Sequence, residues 1–128
     1  MVTRLGMVLL LVLVETSATG ADRRPGSAEL LDLLGKSTRP LSEGAEDCIG
    51  LAKYHSTLGA LVQYFGQQAN GRRTASCARP KETSGALACS AEFVNKVPRE
   101  RSEDEFSLRI DFELQRGAIG AFKCFMAG

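Results

Sequence analysis

Cys48, Leu51, His55, Leu58, Val62 and Phe65 recur at offsets that line one face of an α-helix. The spacing predicts one main helix over residues 48–65, with Asp47 placed to cap its start and Gly66 to close it. Gly50 and Gly59 lower its intrinsic propensity, so this helix depends on burial against other elements. Further along, the period changes to two. Leu87, Cys89, Ala91, Phe93 and Val97 fall on one side of a strand whose other side carries Ser90, Glu92 and Lys96. Phe106, Leu108, Ile110, Phe112 and Leu114 then alternate with Ser107, Arg109, Asp111 and Glu113, the pattern of a sheet with one buried and one solvated face. Gln115-Arg116-Gly117 predicts a hairpin turn into a third strand around Ala118 to Met126, which sends Phe122 and Phe125 to opposite faces.

These elements define the expected fold class, α+β, with one main helix packed on a three-stranded antiparallel sheet and two disulfides. Residues 48–128 form the expected stapled domain. Residues 21–47 mix Gly, Pro, Ser and charge around the apolar island Leu30 to Leu34, and are expected to be mostly mobile. The island supports a turn or two of helix, begun by Ser27 and ended by Gly35, only if it docks on the main body. Residues 66–86 show no period and read as a long loop tied down at Cys77.

The N-terminus alters the setting. Arg4, the apolar run Met7 to Val14, and the small residues Ala18 and Gly20 have the order of a secretory signal peptide over residues 1–20. The run is shorter than the ~20 residues that span a bilayer, and no later segment is apolar enough to span one. An exported chain meets an oxidising compartment, where Cys48, Cys77, Cys89 and Cys124 are expected as two disulfides and not as a metal site. Three pairings are formally open. In a meander, Cys89 and Cys124 sit two strand spacings of roughly 4.8 Å apart, plus several residues of rise. A bridge needs Cα atoms within about 7 Å, so the meander favours Cys77–Cys89 and Cys48–Cys124.

Sixteen Lys and Arg against fifteen Asp and Glu leave a formal charge of +1, which selects neither nucleic acid nor an anionic membrane. His55 is the sole histidine; as a general base it would need a serine and an acid brought together by the fold, and no GxSxG elbow supports such a hydrolase. Glu46-Asp47 and Glu103-Asp104-Glu105 are sequence neighbours of the kind that solvate a loop, whereas glycosidase chemistry needs carboxyl groups opposed across a cleft. Neither catalysis nor a cofactor is expected. Gly71-Arg72-Arg73 after Asn70 has the form of a processing and amidation signal, and Arg23-Arg24 would set the start of a peptide running from residue 25 to 70. Arg72, Arg73 and Arg79 in the long loop are the first candidates for partner contact, followed by Tyr54, Tyr64 and Phe125.

A helix followed by an antiparallel meander with late disulfides is similar in outline to the exported cystatin and cathelicidin group. The inhibitory cystatins carry a Gln-x-Val-x-Gly hairpin and a later Pro-Trp, and this chain has neither, with no Trp at all. Gln63-Tyr64-Phe65-Gly66 falls one residue short of that pattern. The outline covers residues 48–126 and transfers no inhibitory residue. The expected function is a secreted, non-catalytic protein that binds an extracellular protein or receptor as ligand or inhibitor. The alternative is a prohormone-like precursor cut at Arg23-Arg24 and Arg72-Arg73, and a weaker one is a small hydrolase using His55.

Overall fold

The strand with the cleanest alternation sits at the centre of the sheet. In the computed structural model, which describes residues 24–78, 85–96 and 105–127, the elements run α1 (Ser27–Gly35), a 3-10 turn (Leu41–Glu43), β1 (Ala45–Glu46), α2 (Cys48–Leu51) and α3 (Leu58–Gln68). Four strands follow: β2 (Arg72–Cys77), β3 (Ala86–Asn95), β4 (Phe106–Gln115) and β5 (Ala118–Ala127). The sheet order is β1-β5-β4-β3-β2. β1 lies parallel to β5, and every other pairing is antiparallel. The expected signal peptide, Arg23, Arg79, Val97 and the acidic run at residues 103–104 lie outside the described residues.

The expected three-stranded antiparallel sheet with one main helix is therefore corrected to a five-stranded mixed sheet with short helices. Two departures account for most of the difference, and the first is the helix. Residues 48–65 do not form one rod, because Thr57 adopts an extended conformation (φ −125°, ψ 161°) and its hydroxyl accepts from the Ala60 amide at 3.0 Å, capping a new helix. The preceding segment completes the break from outside. Leu41 N donates to Ser56 O, Leu58 N to Arg39 O and Gly59 N to Ser37 O, so strand-like partners replace the turn that a continuous helix would have had.

The second departure is β2, a six-residue strand inside the expected long loop. Only Ala75 and Cys77 of its six residues are buried, too few and too small to leave a visible period in the sequence. Its register with β3 makes Cys77 the direct partner of Cys89, and the two are disulfide-bonded with Cα atoms 3.9 Å apart. Cys48 bonds Cys124 and ties α2 to β5. Both pairs are the ones argued from the sequence, although Cys77–Cys89 secures an edge strand and not a loop. Cys89 also shares a row with Phe112 and Phe122, so Cys124 is only two residues along from it; two strand spacings, and not distance along the strands, keep those cysteines apart.

The core lies on one face of the sheet. Phe106, Leu108, Ile110, Phe112 and Leu114 of β4 are all buried there, together with Ala91 and Phe93 of β3 and Phe122 of β5. Leu30 and Leu34 of α1, Leu41, and Leu58, Leu61, Val62 and Phe65 of α3 cover them. The island Leu30–Leu34 is thus a docked helix, packed on both α3 and β2. Ser27 at its start also blunts the sheet edge, since its Oγ accepts from the outward-facing amide of Ala75 at 2.9 Å. At the far edge Asp47 N donates to Cys124 O and Asp47 Oδ2 accepts from Met126 N at 2.8 Å, which fixes β1 against β5 beside the Cys48–Cys124 bridge. Arg116 (φ 55°) and Gly117 (φ 79°) form the two-residue β4–β5 turn, both left-handed as a type I′ hairpin requires.

Candidate protein-binding surface

Strand alternation separates the arginines that the sequence placed together. Arg72 stands on the solvent face of the sheet, where its guanidinium donates to Glu92 Oε1 at 2.8 Å. Arg73 points to the opposite side and lines a groove between α1 and α3. Arg79, the third candidate, lies outside the described residues. Gly71 N donates to Val94 O at 2.8 Å, and Arg72 and Arg73 are in register with Val94 and Phe93. The dibasic pair is thus held in an edge strand and not presented on a free loop.

The solvent face of the sheet carries paired charge. Arg109 Nε and Ser90 Oγ both donate to Asp111 Oδ1, at 3.1 and 3.0 Å, and the Arg109 guanidinium stacks 4.3 Å from the centre of the Phe125 ring. A hollow of ≈ 520 Å³ opens beside this array over Ala78, Ala88 and Ala121. Asp111, Glu113 and Lys123 border it. Asp111 is already paired with Arg109, which leaves one carboxylate and one ammonium on the border.

His55 does not lie on the continuous apolar stripe that the spacing implied. It follows α2 in the turn that joins the two helices, half-buried, with its ring 5.0 Å from that of Tyr64 and 5.8 Å from that of Phe65. Phe65 continues the contact to Phe106 at 4.9 Å, linking the surface cluster to the core. Burial lowers the His55 pKa from its ordinary value, since the apolar rings disfavour the imidazolium. Among the described residues its side chain meets rings and makes no hydrogen bond to a serine or a carboxylate, so no triad geometry is assembled around it.

The exposed large hydrophobic residues of the described structure all fall within this same stretch. Ile49 is 62% exposed, Tyr54 80% and Tyr64 48%. Tyr54 directly precedes His55 in the chain, and His55 packs on Tyr64. The Cys48–Cys124 bridge and the Thr57 cap hold the two sides of the turn. Sequence reasoning had Tyr54 and Tyr64 behind the arginines. The signal that would have promoted them is Ser56-Thr57, a helix start that converts the middle of the supposed helix into a presented turn.

No group of three or more His, Cys, Asp or Glu among the described residues is arranged to hold a metal ion, and no helix among them is long and apolar enough to cross a membrane. The two disulfides are compatible with an oxidising, extracellular setting. The chain matches no protein-family model, no curated protein and no solved structure.

Proposed function

We propose that this chain is a secreted, non-catalytic binding protein that engages another extracellular protein through the aromatic turn between α2 and α3. The observation that carries the reading is that Ile49, Tyr54 and Tyr64, the exposed large hydrophobics among the described residues, all fall in the disulfide-anchored stretch from α2 to α3. Tyrosine delivers a large contact area at low entropic cost and keeps a hydroxyl for hydrogen bonding, which is why it is enriched among the residues that dominate interface energetics. His55 is the cluster's support: its ring packs beneath Tyr64, and its neutral form suits the apolar surroundings.

The test is capture from the extracellular fluid of the source, with the disulfide-intact chain immobilised beside its Tyr54→Ala/Tyr64→Ala double variant and an Arg72→Ala variant. A partner retained by the first and third, and bound at least about thirtyfold more weakly by the second with an unchanged melting temperature, is the expected result; it corresponds to about 2 kcal/mol. A partner held equally by all three would remove the aromatic turn from the interface. An intact mass of the secreted product, before and after reduction, checks the processing alternative in the same material. Release of two pieces on reduction would replace the binding reading with the precursor one.

A further inference from the structure

The groove between α1 and α3 combines three properties. Its floor is apolar, formed by Leu31, Val62 and Phe93. Its depth comes from two glycines, Gly35 and Gly66, where a Cβ would only reach ordinary contact, 3.9 Å from Gln63 Cγ and 3.7 Å from Phe93 Cε1. Its volume of ≈ 380 Å³ lies within the range of small-ligand sites.

Of the polar groups around it, Asp32, Lys36 and Gln63 are already committed, while the neutral amide of Gln67 and the guanidinium of Arg73 have no side-chain partner among the described residues. Lys36 is paired with Asp32 at 3.0 Å, and Gln63 Nε2 donates to Gly35 O at 2.7 Å. Arg73, which enters from β2, makes no ion pair or side-chain hydrogen bond among the described residues. The groove thus offers an apolar trough and one uncompensated guanidinium. A ligand that satisfies both has an apolar body and a single carboxylate, which the planar guanidinium receives through paired N–H donors. A peptide fits less well. Each of its amides needs a partner and Ser27 already occupies the Ala75 amide on the β2 edge, whereas an acyl chain asks for no polar partner beyond Arg73.

We infer that the α1–α3 groove is a binding site for a straight-chain carboxylate, with the acyl chain over Leu31, Val62 and Phe93 and the carboxylate on Arg73. None of Tyr54, His55 and Tyr64 lines the groove, although α3 carries residues of both surfaces. The probe is sodium decanoate below its micellar concentration, titrated into the isotope-labelled, disulfide-intact chain by NMR. The expected result is saturable one-to-one binding, with amide shifts confined to residues around Leu31, Gly35, Val62, Gly66 and Arg73.

Arg73→Gln should weaken decanoate by roughly fivefold or more, and Arg73→Lys should recover part of the loss. Methyl decanoate should bind the unmodified chain no better than decanoate binds the Arg73→Gln variant. Absence of saturable binding overturns the site. Equal affinity for acid and ester, or shifts centred on the sheet hollow beside Asp111 and Lys123, overturns the assignment of Arg73. Tighter binding at the same residues by a short peptide with an apolar C-terminal residue overturns the acyl ligand in favour of a peptide.

Discussion

Breaking the Cys48–Cys124 bridge should destabilise this protein more than breaking Cys77–Cys89, and the ranking follows from where each bond sits in the chain. The first closes a separation of 76 residues and the second one of 12. The chain-entropy relation converts these into about 4.5 and about 2.8 kcal/mol of unfolded-state constraint at 25 °C, a difference of about 1.7 kcal/mol. Burial adds in the same direction. Cys48 and Cys124 are fully buried, while Cys77 and Cys89 retain a few per cent of exposure, so truncation leaves the larger packing defect at the first pair. The junction itself survives the loss of the bond, because Asp47 N still donates to Cys124 O and Asp47 Oδ2 still accepts from Met126 N. The comparison therefore reports mainly on the unfolded chain. Urea denaturation of C48A/C124A and C77A/C89A beside the unmodified chain measures it, with midpoints and slopes fitted separately. Equal losses, or a larger loss in C77A/C89A, would refute the loop-length argument and show that native packing of β2 outweighs chain entropy.

Two further outcomes are expected. Gly44→Ala should cost about 1–3 kcal/mol in the same denaturation assay, because the added Cβ would come 2.5 Å from Cys48 Sγ and press on the Phe122 ring. Gly50→Ala, with nothing within 4 Å, serves as the control and should not lose stability. The His55 contribution should depend on pH with a definite sign. Its pKa is lower folded than unfolded, so between the two values the unfolded chain holds more protons, and the contribution present above the ordinary histidine value is lost as pH falls through the folded one. Melting temperatures from pH 8 to 5 should therefore fall less steeply in His55→Gln, and an NMR titration should place the His55 midpoint below that of an unstructured peptide. An unchanged slope together with an unshifted midpoint would count against burial beside Tyr64.

Elements whose burial is one-sided and complete are written in the pattern of residues alone. β4 was legible because every second residue from Phe106 to Leu114 enters the core while Arg109 and Glu113 stay exposed. The β4–β5 turn was legible because Arg116-Gly117 provides the backbone freedom a tight hairpin needs. The cysteine pairs followed from strand spacing that the finished sheet largely preserves. Of the candidate surface, Tyr54 and Tyr64 were visible as side chains of the right type, but ranked behind the arginines because the turn that exposes them was hidden.

The helix break, the strand β2 and the parallel addition of β1 depend on contacts between segments distant in the chain. Periodicity records which side chains are buried, and a continuous helix and a helix–turn–helix bury Leu51, Leu58, Val62 and Phe65 with similar offsets. The choice between them rests on backbone hydrogen bonds, and those come from Ser37, Arg39 and Leu41, residues distant in pattern but adjacent in space. β2 and β1 likewise exist because sheet edges accept pairing from segments with little apolar character of their own, which leaves Ala75 and Cys77 as the sole buried traces of one and a two-residue contact as the other. The same strand pairing separated Arg72 from Arg73, and placed one on Glu92 and the other at the mouth of a groove.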